Sequence, residues 1–472
     1  MLETGIRQLR MASSITWGRR VSTRNLARLV DDALATLAEF GEPGADVDQL
    51  IDGPAADPEA QRVLATAALR RTATRLAARS PFYARRFAAA DLTPRTLDTE
   101  SLRTVPVTVK RDLVERAEEF RCSDVDPALA TRTTGTTGAP AEVWVSAYEV
   151  ELWSGLGALA AVLRDELRPG DVLQINVSSR ATASVHLNAA TCRLVGAACR
   201  VLGTIAPEQS VDALSADAVT VLLTVPSYLA GLVLAARKRG LGPADFALRR
   251  INVGGEVLSP SLADAARQTF GATEVRDTFG MTEVMPVTGR LCSAGHLHYD
   301  ASAGHVEILD LDTGGPAEPG RLGSLVITPY YPYRECMPVF RYDTRDVVRR
   351  LPDAPLSCEA AALPASSPVL GKADGVLRLG AVTVTTRDIV EAVESLPGCP
   401  WPARYRACVQ DGRLRMVLPA AAVDPGGLDN ARAHLAARGL DAHLVVVPDA
   451  DAHALRPVRS DLHETTFVAR TV

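Results

Sequence analysis

The stretch Arg132-Thr133-Thr134-Gly135-Thr136-Thr137-Gly138-Ala139-Pro140 constrains this chain more than any other. Small hydroxyl side chains and glycines at this density let backbone N–H and side-chain O–H groups close around phosphate oxygens with no Cβ in the way. It is not a Walker loop, because the glycine spacing differs and no Lys-Ser/Thr follows. Taken alone, the stretch fits a flexible Thr/Gly turn equally well. Its surroundings decide between the two.

Before it, Asn25 to Phe40 and Asp57 to Ala78 carry apolar residues at helical spacing among arginines and acids, with Asp57 as an N-cap and Pro58 at the first helical position. After it, the short apolar runs Val172 to Val177, Val219 to Val225 and Arg250 to Val253 alternate with helical stretches, as in βα units on a largely parallel sheet. Beyond Gly304 the pattern predicts a small β subdomain with strands at His305 to Leu309, Ser324 to Pro329 and Asp346 to Leu351. Gly371 to Thr385 reads as a hairpin leading into a helix from Thr386 to Ser395. The expected fold is therefore α/β, with a large N-terminal unit over residues 1–370 and a small α+β unit over residues 371–472.

Composition excludes several alternatives. With 472 residues and 47% hydrophobic side chains, the chain can bury a large core. A formal charge of −5 leaves no basic excess for a nucleic-acid surface. Apolar runs fall far short of the roughly 20 residues that cross a bilayer, and no signal peptide is expected at the arginine-bearing N-terminus. The 8 cysteines are scattered through a long chain, which favours reduced thiols or metal ligands and a cytoplasmic location. Lys110, Lys238 and Lys372 are the only lysines.

Four further motifs follow the Thr/Gly stretch in order: Gly254-Gly255-Glu256, then Asp277-Thr278-Phe279-Gly280-Met281-Thr282-Glu283, then Arg341-Tyr342-Asp343-Thr344-Arg345-Asp346, then Gly371-Lys372-Ala373-Asp374. Together with the stretch they resemble the motif series of adenylate-forming enzymes, the acyl-CoA synthetase superfamily, and within it the phenylacetate-CoA ligase branch. The resemblance implies ATP, Mg2+ and an acid as ligands. Thr133, Thr134, Gly135, Thr136, Thr137 and Gly138 would cradle phosphates. Gly254, Gly255, Glu256, Asp277 and Thr278 would border the nucleotide, with Phe279 near the adenine plane. Asp346 would accept the ribose hydroxyls, and Glu283 would hold Mg2+, a hard cation that prefers oxygen. Thr282 would hydrogen-bond the α-phosphate, and Lys372, standing where the family has arginine, would reach phosphate or ribose oxygens.

Several departures qualify this. The loop's usual lysine is Ala139, and the branch's Arg and Gly before the ribose aspartate are Asp343 and Arg345. The C-terminal lysine that the family sets against the α-phosphate is missing, leaving Arg456 or Arg459 near its place. Cys292, His298, Cys336 and Cys358 would form a structural zinc site similar to one in some relatives, with His296 as a competing imidazole and buried free thiols as the alternative. For the acid, His186, Tyr228, Phe279, Gly280 and Met281 are pocket candidates by position.

The implied activity is ATP-dependent activation of a carboxylate, aromatic by the habit of the branch, as acyl-AMP with pyrophosphate release. Transfer to CoA or another nucleophile would follow. The altered tail keeps two alternatives open: adenylation of nitrite for diazotisation of an aryl amine or amide formation, and an inactive nucleotide-binding homologue. Homodimers are usual in the branch, though no residue here marks an interface.

Overall fold

The structure, a computed structural model, describes residues 2–41, 58–133, 140–178, 182–423 and 427–455. Asp57 lies outside them, but the helix it was expected to cap is present as Pro58–Arg79, preceded by helices Leu2–Thr16 and Thr23–Phe40. Ser22 caps the second of these by accepting from Asn25 N, and Gly41, at φ 81°, ends it.

An eight-stranded sheet forms the centre. It is built from β3 (Val172–Asn176), β4 (Ala198–Val201), β5 (Val221–Thr224), β6 (Arg250–Gly254), β7 (Glu274–Gly280), β8 (Thr288–Leu291), β9 (Leu297–Tyr299) and β13 (Ala365–Ser366). The order is β13-β9-β8-β7-β6-β5-β3-β4, parallel from β4 to β7 and antiparallel from β7 to β13. The parallel half follows from the βα alternation: helices Thr182–Val195, Pro207–Ala216, Pro226–Lys238 and Pro260–Phe270 intervene between its strands. Their apolar faces and the strands' continuous apolar runs make a core that includes Leu222, Leu229, Ile251, Leu262 and Phe270.

A short hairpin, β1 (Leu129–Arg132) with β2 (Glu142–Val145), flanks the Thr/Gly stretch. The expected β subdomain is a four-stranded antiparallel sheet of β10 (Gly304–Asp310), β11 (Leu322–Pro329), β12 (Tyr342–Arg349) and β14 (Gly371–Lys372). Past it, a hairpin (Leu377–Leu379 with Val382–Val384), helix Thr386–Glu394 and a three-stranded sheet share a second core. Apart from Val257, every buried member of that core lies between Leu377 and Leu444.

Parallel strands leave their C-terminal ends, and the loops after them, on one side of a sheet. The motifs Gly254-Gly255-Glu256 and Asp277 to Glu283 end β6 and β7 on that side. β12 and β14 bring Asp346 and Lys372 together from the neighbouring sheet. Among the described residues no helix is long and apolar enough to cross a membrane.

Candidate active site

At the end of β6, Gly254 runs so close to β7 that a Cβ would meet Thr278 O at 2.8 Å. Gly255 then turns with φ 80°. Glu256 is spent on structure: its carboxylate accepts from Ser227 N at 2.7 Å and Ser227 Oγ at 2.9 Å, at the start of helix Pro226–Lys238. Thr278 Oγ1 donates to Val253 O at 3.1 Å, and Phe279 sets its ring edge-on to Tyr299 with centroids 6.1 Å apart.

Gly254, Gly255, Glu256, Thr278 and Phe279 border one cavity of about 2100 Å³, together with Asp277, Gly280, Met281, Thr282, Glu283, Asp346 and Lys372. A single small-molecule site usually occupies roughly 300–1,000 Å³, so there is room for a nucleotide, an acid and part of an acceptor.

Glu283 is 4% exposed, and Tyr342 donates to its Oε1 at 3.4 Å. Burial pushes its carboxyl above the ordinary range; Lys110 and Lys372 pull in the opposite direction but do not win. Asp346 and Lys372 face each other across the β12–β14 register. Their charged atoms are 3.0 Å apart, and Lys372 Nζ also donates to Thr344 O at 3.1 Å. Arg345 sits at φ 61°, the left-handed region that suits glycine, at the position where the branch has glycine. Thr133 N donates to Ala141 O at 2.9 Å and Thr133 Oγ1 accepts from Ala141 N at 3.0 Å, closing the base of the Thr/Gly loop. Thr134, Gly135, Thr136, Thr137, Gly138 and Ala139 lie outside the described residues, as do Arg456 and Arg459.

A family model described as AMP-binding enzyme matches residues 48–331. The chain belongs to the AMP-binding enzyme family. Phenylacetate-coenzyme A ligase of Pseudomonas putida is 26% identical over 321 residues, 66% of this chain and 71% of that protein. The phenylacetate-coenzyme A ligase of Thermus thermophilus is 25% identical over 347 residues, 72% and 76% of the two chains. Among solved structures, 2-hydroxyisobutyryl-CoA ligase in the postadenylation state with 2-HIB-AMP superposes with a TM-score of 0.69 at 19% identity, covering 86% of this chain and 87% of that one. This last likeness carries the fold. The chain is accordingly an ATP-dependent, AMP-forming ligase of the phenylacetate-CoA ligase-like branch.

Three sequence expectations need correction. Cys336 is not with the other proposed zinc ligands. It is fully buried in the loop between β11 and β12, where its N donates to Glu149 at 3.1 Å and its carbonyl accepts from Cys122 N at 2.8 Å. The residues that converge are Cys292, His296, His298 and Cys358, with potential ligand atoms all within 4.8 Å of one another. The turn from β8 to β9 brings in His296, and His298 Nε2 lies 3.3 Å from Cys358 Sγ. Second, His186 is exposed on helix Thr182–Val195 and is not at the cavity, whereas its neighbours Leu187 and Asn188 are. Third, Tyr228 donates to Ile205 O at 2.7 Å with its ring packed into the sheet-flanking cores, away from the cavity wall.

One residue escaped the sequence reading. Lys110 begins helix Lys110–Phe120 and lines the cavity. Its ammonium is held below the ordinary lysine value, first by burial and then by Lys372, while Glu283 acts the other way. The link is a backbone bridge between Thr108 and Tyr342, which sets Lys110 beside β12.

Proposed function

We propose that this ligase couples ATP cleavage to activation of a small carboxylic acid at the Glu283–Asp346–Lys372 end of the cavity, and then passes the acyl group to CoA or another nucleophile. One observation carries the reading. Glu283 is a buried carboxylate whose single side-chain donor is long, facing the cations Lys110 and Lys372 across an open cavity. Such a group stays costly until a cation or phosphate-bound metal meets it.

In this reading Asp346 accepts the ribose hydroxyls, and Lys372, already 3.0 Å from Asp346, stays at the ribose edge and partly offsets that carboxylate. Thr282 donates to the α-phosphate, where negative charge grows as an acid oxygen attacks phosphorus and the bond to pyrophosphate breaks. Lys110, which lines the same cavity, would offer the phosphates a second cation. Glu283, hard and oxygen-only, suits Mg2+, which when bound offsets phosphate charge as pyrophosphate departs. Acyl transfer then forms the bond from nucleophile to carbonyl and releases AMP. In this reading Phe279, Gly280 and Met281, which line the cavity, border the acid, and an aromatic skeleton is what the branch leads us to expect there. The boundary between the two units is placed at Gly371, whose φ of 127° and separate downstream core suit a pivot.

Cys292, His296, His298 and Cys358 fit a tetrahedral structural zinc, with the Nδ1 atoms of both histidines unpartnered in the fold. The zinc would staple β8 and β9 to the segment before β13, outside the chemistry.

The test is pyrophosphate release over a panel of carboxylic acids and nitrite, each with and without CoA. Acid-dependent release, with an acyl-CoA product, is the expected result. Release only with nitrite, or acyl transfer only to amines, would favour the biosynthetic variants that the absence of any lysine after Lys372 keeps open. ATP binding without turnover on any acid would overturn the reading.

A further inference from the structure

The cavity extends past the reacting end to a wall formed by helix Leu2–Thr16, helix Pro58–Arg79 and the loop after β11, where Met11, Ile15, Ala65 and Ala68 give it an apolar lining. Two arginines of helix Pro58–Arg79 reach this wall, and Arg62 is already paired with Glu59 at 2.6 and 2.9 Å. Arg71 has no carboxylate, carbonyl or ring partner among the described residues, and its Nε is sealed from water with nothing to bond. Arg75, one turn further along the same helix, makes the contrast plain: it pairs with Asp124 at 2.9 and 3.0 Å and covers the Tyr331 ring at 4.6 Å.

The surroundings of Arg71 are arranged rather than loose. Gly18, at φ 61°, leaves space for its guanidinium: a Cβ there would come within 2.0 Å of Arg71 Nε. Tyr331 N donates to Thr72 Oγ1 at 3.0 Å, which ties the tyrosine loop to the arginine's own helix. Tyr333, 5% exposed, has a hydroxyl with no hydrogen-bond partner, and Trp153 Nε1 holds its backbone carbonyl at 2.8 Å. Tyr330 and Tyr333 are the two groups whose charge would act on Arg71, and burial keeps both phenols protonated. The wall thus presents a half-buried planar cation whose Nε is sealed from water and a buried O–H donor, neither with an acceptor among the described residues. Native folds leave few such groups.

We propose that Arg71 and Tyr333 form a carboxylate-binding subsite, so that the substrate carries an apolar skeleton with a second carboxylate beyond the one that is activated. A guanidinium takes a carboxylate in a fork of two parallel bonds, and the Tyr333 hydroxyl supplies a third. The proposal rests on the adenylation reading for the other end of the same cavity. The activated acid is the first source of this carboxylate, and an amino-acid acceptor would be the second.

Acid-dependent exchange between ATP and pyrophosphate tests it with matched pairs such as terephthalate with benzoate and adipate with hexanoate. The wild type should favour the diacid by about tenfold or more in kcat/KM. Arg71→Met should bring the ratio near one by raising KM for the diacid, leaving benzoate exchange and the KM for ATP unchanged. Tyr333→Phe should lower the ratio several-fold. Removal of an unpaired sheltered charge should also leave the melting temperature of Arg71→Met at or above wild type, which a structural role for Arg71 would not do. If the variant does not fold, Arg71→Gln takes its place in the same assay. A loss in Arg71→Met confined to acyl transfer onto glycine, with glycinamide unaffected, supports the same subsite with the acceptor as source. A wild-type preference for monoacids, or a diacid preference that survives Arg71→Met, overturns it. If no acid supports exchange, the adenylation reading fails instead. Calorimetry with terephthalate alone then decides the subsite: binding lost in Arg71→Met upholds it, and absent or unchanged binding refutes it.

Discussion

Two buried glutamates show how differently this molecule treats the same group. Glu149, on the helix Ala147–Leu163, is wholly buried and fully engaged. It accepts from Ser146 N at 2.6 Å, Glu335 N at 2.7 Å and Cys336 N at 3.1 Å, with Arg334 Nε 3.8 Å away. Glu283 is almost as deeply buried, yet receives one long side-chain hydrogen bond and is pushed toward its neutral form. A carboxylate whose lone pairs are already filled by backbone donors holds a loop in place. One left open toward a cavity holds something that arrives later. Burial of charge does not by itself mark a site, but buried charge without enough partners does.

Exchanging each glutamate for glutamine breaks the comparison most forcefully. Glu283→Gln should lose about two or more powers of ten in adenylation rate, because metal-assisted charge stabilisation is worth several kcal/mol. The same variant should be more stable than wild type at pH 8 without ATP or Mg2+. The sign follows from its raised carboxyl: the folded state holds the proton more tightly, so stability is fully present below the ordinary value near 4.5 and declines as pH rises through the folded value. The gain from glutamine should therefore vanish in acid. Glu149→Gln should do the reverse, costing about 3–5 kcal/mol by leaving Arg334 without its counter-charge, while the surviving folded fraction turns over normally. Denaturation curves and pyrophosphate release on both variants check the pair.

Next in size is Asp346→Ala. It removes the ribose acceptor and strips Lys372 of its partner, so kcat/KM for ATP should fall about tenfold to a hundredfold, as for loss of a charge-assisted hydrogen bond of about 1.5–3 kcal/mol. Unlike Glu283, Asp346 is supported by its strand, and the fold should survive. An unchanged kcat/KM for ATP would remove it from the nucleotide site.

The Cys/His cluster extends the contrast to a third region, in which polar groups converge on one another at the cavity's edge. Purified protein should carry about one zinc per chain by elemental analysis. Stripping it with a chelator should lower the melting temperature while adenylation at a permissive temperature changes little, since metal binding free energy is folding free energy. Cys336→Ser should retain the metal and His296→Ala should lose it.

Much of the fold was legible because its signals are local. The apolar runs became the parallel strands of the central sheet, and the motifs at the ends of β6 and β7 fell on the cavity. What stayed hidden depended on helix phase or long-range pairing. His186 and Leu187 are one residue apart, yet a turn of about 100° per residue puts one in solvent and the other on the cavity wall. Cysteine spacing could not tell Cys336 from His296, because the first is held beneath Glu149 and the second is carried in by the turn between β8 and β9. The helix Leu2–Thr16 lacks an N-cap signal that would set it apart from its arginine-rich surroundings.

Lys110 was the least legible residue, since long-range pairing of Thr108 with Tyr342 sets it beside β12, the strand whose Tyr342 touches Glu283. It also offers the smallest and sharpest test. Its ammonium loses its proton below the ordinary value of 10.5, because burial and Lys372 together outweigh the pull of Glu283. If the charged form serves adenylation, the rate should fall on the alkaline side at a pH below that value. Arginine stays charged throughout, so Lys110→Arg should move the alkaline limb upward, at the cost of a several-fold lower plateau from the wider guanidinium. Lys110→Met should lower the plateau further and abolish the limb. Lys372 acts differently, because Asp346 lies 3.0 Å from its Nζ: Lys372→Met should raise KM for ATP and, by removing a charge that lowers Lys110, move the limb slightly upward without abolishing it. An alkaline limb unmoved by Lys110→Arg would mean that Lys110 lines the cavity without serving the reaction, and that Glu283 meets its cation from the solvent side alone.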